Sequence, residues 1–120
     1  MMAHHLETGK SGELLAEEYL RKNGFDILHR NWKYSYYEID IIAIQNNLLH
    51  FIEIKTRNNC KFGYPEESVS VKKIRNMMKA AAGYLTTFPG YSRIQYDVLS
   101  ISLRGKESPE YFFIEDVYAP

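Results

Sequence analysis

Apolar positions change their spacing several times along the chain, and each change predicts a new element. Leu14, Leu15, Tyr19 and Leu20 recur every three to five residues. This spacing predicts an amphipathic helix starting at Thr8 or Ser11 and stopped by Asn23-Gly24. "FDILHRNW" then alternates, a strand with Phe25 and Ile27 on one face and His29 next in that series. "EIDIIAIQNNLLHFIEIK", Glu38 to Lys55, reads as two more strands around Asn46-Asn47, a pair that tolerates the positive φ of a tight hairpin turn. "TRNNCKFGYPEE" has the composition of a loop. A second helix is expected from Ser68 or Ser70 to Leu85, burying Val71, Ile74, Met78, Ala81 and Leu85 and grouping Lys72, Arg75 and Lys79 on another face. "FPGYS" breaks the chain, and "RIQYDVLSIS" and "EYFFIEDVY" read as strands separated by a polar turn at Gly105. The order α-β-β-β-α-β-β implies an α/β domain with a mixed sheet.

The charges within the quoted hairpin need a reason, because strands with apolar surroundings rarely carry charges that are neither paired nor bound to a metal. Strand alternation puts Glu38 and Asp40 on one face with Ile42 and Ile44, and Glu53 and Lys55 on one face with Leu49 and Phe51. With a two-residue turn at Asn46-Asn47, Gln45 opposes Leu48, which sets Asp40 across from Glu53 and Glu38 across from Lys55. Opposed side chains lie about 4.5–5.5 Å apart at Cβ. Two carboxylates that close repel unless one takes up a proton or a cation sits between them. A hard ion such as Mg²⁺ or Mn²⁺ suits such oxygen ligands, and Lys55 would point at the same place to stabilise developing negative charge or help activate a water. The bland alternative is a set of strand-end residues reaching solvent, with Glu38–Lys55 a cross-strand ion pair.

Length and composition fit one globular domain over residues 1–120: 45% of residues are hydrophobic and 25% charged. Net charge is zero, yet Lys55 to Lys79 holds seven basic residues against Glu66 and Glu67, a local +5 balanced by −5 elsewhere. That asymmetry suggests either an anion-binding face or a solvated helix surface. Cys60 is the single cysteine, so no internal disulfide can form, which favours a reducing compartment. No stretch has signal-peptide or membrane-spanning character. The expectation is a soluble cytoplasmic protein whose residues 1–7 are disordered. The four histidines have no zinc spacing; His29 and His50 read as strand residues. Tyr34, Tyr36 and Tyr37 precede the site strand, where they either stack on splayed bases or cover a core edge.

Asp40 followed by Glu53-Ile54-Lys55 resembles the PD-(D/E)xK nuclease signature. The blocks "GKSGELLAEEYLRKNGFDILHRNWK", "EIDIIA", "FIEIKTR", "FGYPEESVSVKKIRNMMKAAAGYL" and "YDVLSI" cover nearly the whole chain and resemble, in order, those of the YraN-like family of predicted endonucleases, distant relatives of the archaeal Holliday junction resolvases. The resemblance implies a restriction-endonuclease-like core, a mixed sheet flanked by helices. It implies Asp40 and Glu53 as ligands of Mg²⁺ or Mn²⁺ and Lys55 as the catalytic lysine. Glu13 would be the acid contributed from the first helix, turned inward on the stripe of Ala16 and Leu20. Arg57, Lys61, Lys72, Arg75 and Lys79 are the candidate phosphate contacts. Tyr37 departs from the family, which usually has Gly before the Glu of "EID", and bears on substrate fit. The function expected is metal-dependent endonucleolytic hydrolysis of DNA, branched or junction-like DNA included, with a homodimer if paired cuts are made. The alternatives are a non-catalytic nucleic-acid-binding domain on the same fold, and an interaction module without nucleic acid.

Overall fold

The computed structural model describes residues 11–58, 70–105 and 107–119. Lys61, Cys60, the expected starts Thr8 and Ser68, and the disorder expected for residues 1–7 therefore lie outside the described residues. Helix α1 spans Gly12–Lys22. It starts there because Ser11 caps it: the hydroxyl accepts the Leu14 N–H at 3.1 Å. Glu13 in its first turn and Arg21 and Lys22 in its last match the helix dipole. Beyond Asn23 the chain turns through Gly24 at φ +87°, while the Phe25 N–H returns to the Leu20 carbonyl at 3.0 Å.

Strands β1 (Asp26–Tyr34), β2 (Tyr37–Gln45) and β3 (Leu48–Asn58) follow, then α2 (Val71–Thr87), β4 (Ile94–Leu103) and β5 (Glu110–Ile114). They form one sheet in the order β1-β2-β3-β4-β5. The β3–β4 pair is parallel and the other pairs are antiparallel. The expected element order and mixed sheet are thus borne out, and the architecture is consistent with a restriction-endonuclease-like core. One face of the sheet buries Ile41, Ala43, Ile52, Leu99 and Ile101 under Leu15, Ala16 and Leu20 of α1. The other buries Ile39, Ile42, Leu49 and Phe51 under Met77, Ala80, Ala81 and Tyr84 of α2. Each large side chain fully buried in these layers contributes about 1.5–3 kcal/mol.

The hairpin expectation holds. Asn46 and Asn47 stand at φ 55° and 62°, and Gln45 faces Leu48. Helix α2 differs from expectation. Ser70 caps it, accepting the Lys73 N–H at 3.1 Å, but Val71 is 49% exposed and Met78 and Leu85 are only half-buried. The buried stripe is Ile74, Met77, Ala80, Ala81 and Tyr84, a rotation of the expected one. The rotation is permitted by Gly83, on which the Tyr34 ring rests; a Cβ there would come within 2.5 Å of that ring. In β1 a register shift between Ile27 and His29 turns His29 away from the Phe25 face, and its ring meets Tyr84 at 5.2 Å. The last strand is shorter than expected. After Ile114 the chain passes through Asp116 at φ 58°, and the Val117 N–H bonds to the Tyr96 carbonyl at 2.7 Å.

His50 is a strand residue, buried like its partner Asp97, with Nδ1 2.6 Å from Oδ2. Asp97 Oδ1 accepts the Asp116 N–H at 2.9 Å and the Gln95 side-chain amide at 2.8 Å. One carboxylate thereby ties β3, β4 and the segment after β5 together.

Candidate active site

The β2–β3 ladder runs from Gln45/Leu48 to Ile41/Ile52, while β3 continues beside β4 as far as Asn58. Strand β2 meanwhile keeps its pairing with β1 out to Tyr37. The two central strands therefore part at their charged ends. In an antiparallel ladder closed by a two-residue turn, the next hydrogen-bonded pair would be Ile39 with Ile54. Instead the Ile54 N–H donates to Asp40 Oδ2 at 2.8 Å. The Asp40 side chain fills the place of the Ile39 carbonyl and holds the strands apart.

The pleat changes at the same residue. Ile39 and Ile42 are three apart yet both bury against α2, which strict alternation forbids. Opposite, the β1 pairs pass from Arg30↔Ile41 to Trp32↔Ile39, with Asn31 between them at φ 50°. The expectation that Asp40, Ile42 and Ile44 share one face is corrected accordingly. The paired oppositions Asp40–Glu53 and Glu38–Lys55 are likewise absent from the ladder, which stops one pair before the first of them; Glu38 pairs with Lys33 instead.

The fork opens into a cleft of about 560 Å³. Glu38, Asp40 and Glu53 line it from the sheet, Glu13 from the start of α1, and Lys73 and Asn76 from α2. Glu13 is brought there by Gly12, which packs directly on Thr56 of β3; a side chain at position 12 would run into the Thr56 hydroxyl. Asp40 is half-buried, and its pKa is pushed up to about 6. Burial is the main cause, the Ile54 N–H opposes it, and the charges of Glu53, Glu38 and Glu13 add to it. Glu53, Glu38 and Glu13 are thus close enough to act on Asp40, but Glu13 is exposed and not turned inward as expected. Among the described residues no group of three or more His, Cys, Asp or Glu side chains is placed to hold a metal ion.

Lys55 has its pKa lowered, chiefly by the charge of Lys73, then by partial burial, a side-chain contact with Lys73 and the charge of Arg57, against the opposing pull of Glu53. Lys73 Nζ also lies 3.4 Å from Glu53 Oε2. Lys73 is the residue that the sequence reading missed. The helical period that buries Met77, Ala80 and Tyr84 puts Lys73 one turn earlier on the same side, and the stripe drawn through Val71 and Met78 turned it outward. Lys72, Arg75 and Lys79 are exposed on α2, with the Lys79 ammonium 5.4 Å from the centre of the Tyr37 ring. Arg57 is half-buried at the far end of β3.

The chain matches the model of the uncharacterised protein family UPF0102 over residues 12–101. The chain belongs to UPF0102. The matched span contains Glu13, Asp40, Glu53, Lys55 and Lys73, and the family is consistent with the YraN-like resemblance. A UPF0102 protein of Phocaeicola vulgatus is 42% identical over 116 residues, covering 97% of this chain and 93% of its own. One of Syntrophomonas wolfei is 43% identical over 103 residues, 85% and 90% of the two chains. Another, from Bacteroides thetaiotaomicron, is 40% identical over 100 residues, 83% of each. Among the described residues of this UPF0102 member, no helix is long and apolar enough to cross a membrane.

Proposed function

We propose that this UPF0102 protein is a cytoplasmic, Mg²⁺- or Mn²⁺-dependent endonuclease that hydrolyses DNA phosphodiester bonds, branched DNA included. The observation that carries the reading is Asp40: a half-buried carboxylate set at the parting of two strands, in the field of three further acids, in a cleft that Lys73 also lines. Keeping such a carboxylate ionised is costly without a cation. The donor set also fits the metal. Mg²⁺ and Mn²⁺ take oxygen ligands and commonly keep several waters, so Asp40 and Glu53 with water and phosphate oxygens suffice without a complete protein cage.

Asp40 and Glu53 would hold the ion, with Glu13 reaching the same cleft from α1. When bound, the ion lowers the pKa of a ligated water and polarises the phosphoryl oxygen. The Ile54 N–H holds Asp40 Oδ2 and so restrains the carboxylate at the wall of the cleft. Lys55, flanked by Lys73, places positive charge where the pentacovalent phosphorus gathers negative charge as the water oxygen bonds to it and the ester P–O bond breaks. Lys72, Arg75 and Lys79 would meet the DNA backbone without reading sequence. Paired cuts in a junction call for a homodimer.

Labelled linear, flapped and branched DNA, incubated with Mn²⁺ or Mg²⁺, tests the proposal. Wild type should cut only with metal, and Asp40→Asn and Lys55→Ala should each cut at least about a hundredfold more slowly. No cutting, together with salt-sensitive DNA binding retained by both variants, would sink the catalytic reading in favour of a binding domain.

A further inference from the structure

We infer that Tyr36 is a stacking platform for an unpaired nucleobase, so that the cleft takes DNA in which a nucleotide has left the helical stack; the inference rests on the phosphodiester reading above. Tyr36 is 96% exposed at the tip of the β1–β2 turn and lines the same cleft as Asp40 and Glu53. A large aromatic ring left in water contributes nothing to the core. Its neighbours, by contrast, are fastened. The Tyr34 ring lies parallel to Trp32 and rests on Gly83 of α2, while Tyr37 sits under the Lys79 ammonium. Ser35, at φ 58°, turns the chain between them. The stem of the hairpin is anchored to α2 on both sides of Tyr36, so the ring at its tip is presented with little backbone freedom left to lose on contact.

The occupant follows from what lies beneath the ring. The sheet wall of the cleft is acidic, so an anionic peptide would be repelled there, and an aromatic peptide could meet Tyr36 but would bring nothing to match Glu38, Asp40 and Glu53. A nucleotide offers a π-face to Tyr36 and, through a cation held by Asp40 and Glu53, a phosphate to the carboxylates. In a continuous duplex both faces of every internal base are covered by neighbours, so only an unpaired or flipped base can supply that face. The selection is sequence-tolerant, since every base has such a face.

The test uses the full chain and two labelled DNAs with equal numbers of phosphates, a blunt duplex and a duplex with a single-stranded flap, with binding followed by anisotropy in Ca²⁺ at fixed salt. Tyr36→Ala should weaken flap binding by about 5- to 150-fold, the range for loss of one base–aromatic stack, and leave duplex binding within about twofold. Tyr36→Phe should bind like wild type. A 2-aminopurine placed at the unpaired position should be quenched by wild type and not by Tyr36→Ala. Because Tyr36 is exposed, the fold should survive, and an unchanged melting temperature checks that. Equal losses on both DNAs, or no loss on either, would overturn the inference. Cleavage keeps the two readings apart. A wild type that never cuts but shows Tyr36-dependent flap preference loses its nuclease function and keeps the stacking site. A Tyr36→Ala variant that cuts flap and duplex in wild-type proportion loses the stacking site alone.

Discussion

Asp40→Asn should make the protein more stable and less able to use metal. Asparagine has the size of aspartate, and its carbonyl oxygen can still accept the Ile54 N–H, so the strand fork is kept. What disappears is the ionised form. In the folded chain the carboxyl pKa stands near 6, against 3.8 for the ordinary group. At 1.36 kcal/mol per unit, ionised Asp40 costs the folded state about 2–3 kcal/mol at pH 7.5. The sign follows from proton binding. Between pH 4 and 6 the folded state holds a proton that the unfolded chain has released, so the contribution of Asp40 to stability falls as pH rises through that window. Below pH 4 both states are protonated and the penalty is absent. Thermal unfolding should therefore show Asp40→Asn melting about 8–12 °C above wild type at pH 7.5, with the gap closing towards pH 4. Adding Mn²⁺ should raise the wild-type melting temperature by several degrees and leave the variant nearly unmoved. A gap that did not change with pH, or a variant less stable than wild type at pH 7.5, would refute the account of Asp40 as a carboxylate held at a cost.

Three further outcomes follow from particular contacts. Removing the Lys73 charge in Lys73→Ala should let the Lys55 pKa rise, so the alkaline limb of the cleavage pH profile should move upward while the fold persists; an unmoved limb would separate Lys73 from the site. Gly83→Ala ordinarily gains about 1 kcal/mol in a helix. Here the added methyl meets the Tyr34 ring, and denaturant unfolding should show a net loss of about 1–2 kcal/mol, recovered in part by Tyr34→Ala. Asp97→Ala strips the partner from buried His50 and the acceptor from the Asp116 N–H, and should cost about 3–5 kcal/mol by chemical denaturation.

The fold was largely legible because its signals are local. Ser11 and Ser70 as caps, the Asn46-Asn47 turn and the two periodicities each act within a few residues. The misplaced details depend on distant contacts. The rotation of α2 is set by Tyr34 resting on Gly83, about fifty residues apart along the chain. The turning of His29 comes from a shift in a ladder that the alternation of β1 alone does not reveal. In the site, Asp40, Glu53 and Lys55 stood out by residue type, since charges amid apolar strands have few reasons to be there, whereas Glu13, on a helix, came only from the family resemblance. Their actual relation did not stand out, because the expected register ran on through Asp40/Glu53 to Glu38/Lys55, past the end of the ladder at Ile41/Ile52. A side chain competing with a carbonyl for the Ile54 N–H leaves no mark in a hydrophobic pattern. Lys73 was hidden by its company: among four basic residues on one helix, only the true rotation of that helix picks it out.

The β2–β3 ladder ends where a side chain takes the N–H that the next backbone pair would use. The sheet has the residues to zip further, for Ile39 and Ile54 are both apolar and carry the carbonyl and N–H that would meet next. Asp40 works as a wedge as well as an acid, and the two duties part under substitution. An asparagine keeps the wedge and loses the charge. A valine, favoured in strands and offering no acceptor, would release the Ile54 N–H to its backbone partner and let the seam close over the cleft. The aperture through which any substrate reaches the acids is thus set at one residue, and a lineage that lost the acid to an apolar residue would lose the opening with it.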